Sequence, residues 1–288
     1  LEFVSDPQPD SSGEKIVFVR NWMDKQTDRR KMTLWLSSAD GKTQQALTDK
    51  DISASSPRWA PDNKRLAYIA NGQIHIMWLD SGRTTQLGQL QQSPANLSWS
   101  PDGKWLAFSM FTPKKAANPV TLPGKPEKND WAKAPVYIDT MQYRADGRGY
   151  LAAGYKHIYL MAAEGGTPIQ LTNGDFDHAG DISWQKDSKA FYFSANRQSD
   201  KRAQAQNSEV YKLTIADKNL AQVTDRFGPD HAPALSAVAQ SRGDHRRADG
   251  DRARARLPYR RHHLRHDGRQ GRLPHRPWSC GHAGQMPF

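Results

Sequence analysis

Residues 98–109 read Ser-Trp-Ser-Pro-Asp-Gly-Lys-Trp-Leu-Ala-Phe-Ser, and looser copies of this unit recur along the chain. Locally the unit is two strands and a turn. Ser100, Pro101, Asp102 and Gly103 suit the four positions of a type I turn: proline pre-sets its backbone angle, serine and aspartate bond nearby main chain, and glycine relieves the exit. Trp99 then ends one strand, and Lys104 to Met110 form the next. The second strand runs through tryptophan, leucine, alanine and phenylalanine with little polar interruption, so both its faces are expected to be covered by neighbouring sheets.

Four further copies are recognisable. Ser56 to Ile69 is a clear one, and Asp181 to Phe193 keeps the tryptophan, the acidic turn and the aromatic strand without the proline. Pro9 to Val19 is degenerate, and a last copy starts at Asp230 and stops matching after Ser236. Trp59 and Trp99 stand 40 residues apart, the length of one four-stranded propeller blade at roughly 40 to 45 residues. Trp99 and Trp184 stand 85 apart, which fits one blade carrying an insertion. Each unit also closes on a strand, a glycine turn and a short strand, as in Leu34 to Thr48 and Ile74 to Leu87.

The spacing therefore predicts an all-β fold, a β-propeller of four-stranded blades with about four blades, the start of a fifth and an incomplete ring. Residues 1–236 form this partial propeller. Its blades are expected at about 1–48, 49–90, 91–172 and 178–225. A proline-rich insertion at 112–135 interrupts the third, which resumes at Val136 to Tyr143. About four blades from a seven- or eight-bladed ring would leave two apolar end faces open and make the chain prone to aggregate.

Residues 1–236 hold 29 Lys and Arg against 26 Asp and Glu, whereas residues 237–288 hold 12 against 4. The near-neutral body offers no case for nucleic-acid or membrane-surface binding. Body arginines are outnumbered by lysines, 11 to 18, while the last 52 residues contain 12 arginines and no lysine. Strand alternation ends there too. The break falls where the last copy should read Ser-Pro-Asp-Gly-Lys, and residues 237–288, an Arg- and His-rich tail, are expected to be non-native, the product of a reading-frame shift near Ser236. Tyr259 to His266 can be encoded by bases that, one position over, spell an apolar blade strand. The single cysteine, Cys280, lies in this tail, so the body forms no disulfide. No run approaches the roughly 18 apolar residues of a membrane span. No signal peptide is evident, and the compartment, cytoplasmic or periplasmic, stays open.

Candidate sites are few. His262, His263 and His266 cluster without a metal-ligand pattern and are read as accidental. The tail arginines lack a nucleic-acid-binding module. His178 and His231, each in an Asp-His-Ala context before a repeat, are read as turn or edge packing in preference to channel-facing groups. Trp59, Trp99 and Trp184 share one repeat position and are assigned to the core between blades, and Asp102 and its equivalents to turns. No catalytic residue, cofactor or metal site is expected, and substrate-binding residues are not assigned.

The repeat resembles two propeller families, the N-terminal propeller of the prolyl oligopeptidase family of serine peptidases, above all its dipeptidyl and acylaminoacyl peptidase branch, and the propeller of TolB-like proteins. The first resemblance extends to Phe3-Val4-Ser5-Asp6-Pro7-Gln8, similar to that branch's lead into its first blade, and to Tyr143 through Leu151, similar to its mid-propeller segment. It covers residues 1–236. It implies a following α/β-hydrolase domain with a Ser-Asp-His triad, entered by peptides that the propeller admits. Such a serine sits on a Gly-x-Ser-x-Gly elbow, and the 288 residues contain none. The expected function is the substrate-gating propeller portion of a serine exopeptidase, truncated and inactive alone. Its partners are peptide substrates met through the missing catalytic domain, and its oligomeric state is open. The alternative is a TolB-like interaction module without catalysis.

Overall fold

The structure, a computed structural model, describes residues 2–114, 124, 137–138, 140, 142–200 and 203–236. Among them there is no helix, and four antiparallel four-stranded sheets account for nearly all the pairing. The first sheet comprises β1 (Glu2–Pro9), β2 (Lys15–Asp24), β3 (Arg29–Ser38) and β4 (Gln44–Ala46). The second comprises β5 (Ala54–Trp59), β6 (Arg65–Ala70), β7 (Gln73–Trp78) and β8 (Thr84–Gln86). In the third, β9 (Pro94–Trp99) and β10 (Trp105–Pro113) are followed by a separate hairpin of β11 (Arg144–Ala145) and β12 (Gly149–Tyr150). The sheet is completed by β13 (Gly154–Ala162) and β14 (Ile169–Gln170). The fourth comprises β15 (Ser183–Trp184), β16 (Ala190–Ala195), β17 (Glu209–Thr214) and β18 (Leu220–Gln222). Each sheet is a meander of neighbouring strands, the blade unit of a propeller.

The interruption of the third sheet is longer than 112–135. β10 pairs with β13 without a break from Trp105 opposite Ala162 to Pro113 opposite Gly154, so Thr112 and Pro113 belong to the strand and its partner begins at Gly154. Val136, the expected point of resumption, lies outside the described residues. Pro113 is accommodated because it is the last residue of its strand, where a missing N–H costs little. Gly154 opposite it is obligatory: its φ is +149° and a Cβ there would lie 2.3 Å from the Thr112 carbonyl oxygen. Residues 230–236 run without strand pairing, and anything that would pair with them lies outside the described residues.

The recurrent turn forms as its sequence dictates. Gly13, Asn63, Gly103 and Ser188 each donate their N–H to the carbonyl three residues back, at Asp10, Ala60, Ser100 and Gln185. All four have left-handed backbones, with φ between 55° and 75°. Gly and Asn are the residues that tolerate this conformation. Ser188 is the exception, and its hydroxyl accepts the Asp102 N–H of the neighbouring sheet at 3.1 Å.

Three buried clusters join the four sheets in sequence. Val17, Val19 and Leu34 of the first sheet meet Leu66, Tyr68 and Met77 of the second. Ala67, Ile74 and Ile76 on the opposite face of the second sheet meet Leu106, Phe108 and Met161 of the third. Ala107, Ile158 and Leu160 of the third then meet Phe191, Phe193 and Leu213 of the fourth. The strand period of two thus puts large side chains toward the preceding sheet and smaller aliphatic ones toward the next. Within this pattern a cross-strand aromatic pair recurs: Tyr68 with His75 (5.4 Å between ring centroids), Phe108 with Tyr159 (5.9 Å) and Phe193 with Tyr211 (6.1 Å). Phe18 faces Trp35 at the same place in the first sheet.

The two end faces differ. Beside Phe18 and Trp35 lies an open cavity of about 620 Å³, also lined by Phe3 and Val4. The outward row of the fourth sheet is more polar, because Tyr192 pairs with Lys212, and Ser194 with Val210, where the other sheets carry aliphatic pairs such as Ala67 with Ile76. That row mixes Tyr192 and Val210 with Ser194 and Lys212, and Lys212 occupies a position that is Leu36, Ile76 or Leu160 elsewhere.

Candidate functional site

The first strands of the four sheets converge. A cavity of about 580 Å³ is lined by Gln8 and Pro9 of β1, Arg58 and Trp59 of β5, Asn96 to Trp99 of β9, and Asp181 and Ile182 leading into β15. Three of these strands are bulged at one repeat position. Asp6, Ser56 and Asn96 have left-handed backbones, with φ near 50°, and the ladder register shifts beside each. A bulge re-aims side chains that would otherwise continue the alternation. Here Asp6 accepts a hydrogen bond from Arg58 across the sheet boundary at 2.8 Å, an ion pair about one third exposed. Asn96 donates to the Ala179 carbonyl at 2.5 Å, which ties β9 to the connector between the third and fourth sheets.

The recurrent tryptophans fasten these strands. Trp59 Nε1 donates to the Gln8 carbonyl at 2.8 Å, and Trp99 Nε1 to the Arg58 carbonyl at 3.0 Å. Each indole therefore spans from its own sheet to the first strand of the preceding one, a more specific role than core filling. Trp184 is equally buried, yet its Nε1 has no hydrogen-bond partner. Its strand has only two paired residues and lacks the bulge that sets the other two.

Around this cavity the turns form one rim. Asn63 donates to the Ser11 hydroxyl at 2.6 Å, Arg65 reaches the Gly103 carbonyl at 3.3 Å while stacking over Trp99, and Asp102 N–H meets Ser188. Asp102 itself accepts from the Ser100 hydroxyl at 2.6 Å and from Lys104 N–H at 3.1 Å. Burial pushes its carboxyl up, but the Ser100 and Lys104 contacts outweigh burial and hold it below the usual carboxylate range. It is a turn former.

The opposite rim carries the β2–β3, β10–β13 and β16–β17 loops and the connectors between sheets. Thr48, Thr172 and Thr224 recur where the connectors begin, each accepting an N–H from the third strand, whereas the loop side chains differ from sheet to sheet. His178 sits in the connector after the third sheet, fully buried, its N–H donating to the Lys156 carbonyl. Its ring lies 5.3 Å from that of His157 and edge-on to Phe193 at 5.8 Å. His178 therefore packs between sheets and does not line the cavity, while His231 is exposed. Burial, then the nearby Arg197 guanidinium and His157, push the His178 imidazole down to about 3. It is neutral at ordinary pH, and its Nε2 receives an Arg197 N–H at 2.6 Å. Arg197 in turn lies over the rings of Phe176 (4.8 Å) and Tyr211 (5.8 Å). No sequence pattern marked Arg197. The one available signal was its place at the end of a repeat strand, opening a polar loop. Among the described residues no three His, Cys, Asp or Glu side chains gather as a metal site. Nor is any helix long and apolar enough to cross a membrane. His262, His263 and His266 lie outside the described residues.

Residues 149–245 match the family model of the dipeptidyl peptidase IV N-terminal region. Over those residues the chain is similar to the N-terminal propeller region of that family. This propeller is 25% identical over 198 residues to the uncharacterized peptidase YuxL of Bacillus subtilis, covering 67% of this chain and 29% of that protein. Over 103 residues it is 30% identical to dipeptidyl-peptidase 5 of Porphyromonas endodontalis, covering 34% of this chain and 15% of that protein. Acylaminoacyl peptidase of Pyrococcus horikoshii superimposes with a TM-score of 0.57 at 14% identity, over 78% of this chain and 33% of that one, a likeness of fold. The chain thus spans less than a third of the length of these curated relatives.

Proposed function

We propose that residues 1–236 are the substrate-gating propeller portion of a serine exopeptidase of dipeptidyl or acylaminoacyl type, and that residues 237–288 are translated out of frame. The observation that carries the reading is the propeller itself, with its family match and first strands converging on a lined cavity. The Arg58–Asp6 ion pair and the Trp59 and Trp99 bonds hold the first strands against one another along that cavity, which suits the wall of a filter that admits short peptides. The relatives are named as peptidases, which supports peptides as the molecules filtered. With no Gly-x-Ser-x-Gly in its 288 residues, the chain alone is expected to hydrolyse neither dipeptidyl nor acylaminoacyl substrates.

Sequencing the gene from codon 230 through about a further kilobase, read in three frames, tests this. The expected result is a second frame that continues Ser-Pro-Asp-Gly blades and then a Gly-x-Ser-x-Gly domain. A gene with no such frame would leave the Arg-rich tail native and favour a TolB-like interaction module.

A further inference from the structure

Four arginines of this propeller are answered by carboxylates. Arg20 meets Glu2, Arg58 meets Asp6, Arg65 meets Asp62 and Arg226 meets Asp230. Arg197 is different. It is partly buried, two aromatic rings and a histidine hold it, and among the described residues it makes no ion pair. The acids around it are committed elsewhere: Asp175 to Lys114 at 2.6 Å, Asp177 to the Lys156 N–H at 2.8 Å, and Glu209 to the Thr224 hydroxyl.

The geometry leaves a cation prepared for a guest. The rings of Phe176 and Tyr211, 4.8 and 5.8 Å from the guanidinium carbon, and the bond to His178 hold the group in place. The bond to His178 uses one N–H of five, and because a neutral imidazole is the acceptor, the positive charge is not compensated. A planar, fixed, uncompensated guanidinium is the donor set that matches a carboxylate through two parallel N–H···O bonds. We infer that Arg197 anchors a carboxylate-binding site on the loop-bearing rim, and that its ligand is the free C-terminus of a peptide. His178 is the positioning residue, since it touches the guanidinium and is itself sealed from solvent. The inference deepens the gating reading and rests on it for why a peptide arrives there. Binding needs no hydrolase domain, so its failure would leave the reading-frame test untouched.

The test uses the 288-residue chain and calorimetric or NMR titration with N-acetyl-Ala-Ala, as the free acid and as the C-terminal amide. The acid is expected to bind at least about tenfold more tightly than the amide, the loss expected when a charged hydrogen-bond partner is removed. Arg197→Gln is expected to bring the acid down to the level of the amide with the melting transition retained. Arg83→Gln, which removes an exposed arginine lying over Trp78, is expected to change nothing in this titration. Should the glutamine variant fail to fold, Arg197→Lys keeps the charge, loses the fork, and is expected to weaken the acid about tenfold. Equal binding of acid and amide, or undiminished acid binding by either Arg197 variant, would overturn the site. Inorganic phosphate binding more tightly than the acid would overturn the assignment to a peptide end.

Discussion

The two rims of this propeller are built by different rules. On the turn rim the same few bonds are made over and over: a left-handed residue closes each turn, a tryptophan reaches back to the preceding first strand, and adjacent turns touch through Asn63, Arg65 and Ser188. On the loop rim the strand ends repeat, with Thr48, Thr172 and Thr224 accepting an N–H from Leu34, Ile158 and Val210 respectively, but the loops themselves differ from sheet to sheet. The β10–β13 interruption is anchored by Lys114 to Asp175, one connector buries His178, and one loop presents Arg197. The repeat therefore carries the architecture, and the departures from it carry the chemistry. Met23, Ile52, Tyr143, Tyr150 and Phe227, all exposed apolar side chains, lie in or beside loop-rim segments, whereas exposed Ile169 follows a turn on the other rim.

The largest expected effect lies on the repeated side. Trp99→Ala removes a buried indole and its bond to the Arg58 carbonyl, and is expected to lower unfolding stability by about 3–5 kcal/mol, read from urea denaturation. A much smaller loss would mean that the tryptophans do not fasten the strands. Next in size is a pH effect on the loop rim. The folded-state value for His178 is pushed down to about 3, so the unfolded chain takes up a proton that the folded chain refuses as pH falls below about 6.5. Stability contributed by the neutral ring is complete above that value. It is expected to fall by about 2 kcal/mol between pH 6.5 and 5, with His157 and His75, also pushed down by burial, acting in the same direction. Melting curves of His178→Gln should show a visibly flatter dependence, and an unchanged slope would contradict the burial.

A smaller difference separates two members of the repeat. Trp99→Phe forfeits an indole hydrogen bond that Trp184→Phe does not, since Trp184 Nε1 has no partner. The first variant is expected to be less stable than the second by about 1 kcal/mol in paired denaturation curves. Smallest of all, Tyr143→Ala and Tyr150→Ala remove side chains 44% and 63% exposed, and their melts should stay within about 0.5 kcal/mol of the parent. A large loss there would place structural weight on the loop rim.

This division also explains what was legible. The turn chemistry of Ser100 to Gly103 and the 40-residue tryptophan spacing specify the hairpin and the blade, because both depend on local backbone preference and on strand alternation. The pairing of Pro113 with Gly154 was not legible, because some forty residues separate them and only the ladder brings them together. The more polar outward row at Tyr192 and Lys212 was hidden for a related reason, since alternation reveals that a face exists and not which neighbour it meets. Arg197 was invisible. Its environment is assembled from Phe176 and His178 in a connector and Tyr211 in a strand, side chains brought together only by the packing of two sheets.

The most direct measurement is hydrogen–deuterium exchange on the 288-residue chain with and without N-acetyl-Ala-Ala acid. The account predicts that the ligand slows exchange in segments around 175–179 and 195–199 and leaves the turns at 60–64 and 100–104 unchanged. Protection appearing at those turns, with none around Arg197, would contradict the assignment of structure to one rim and recognition to the other.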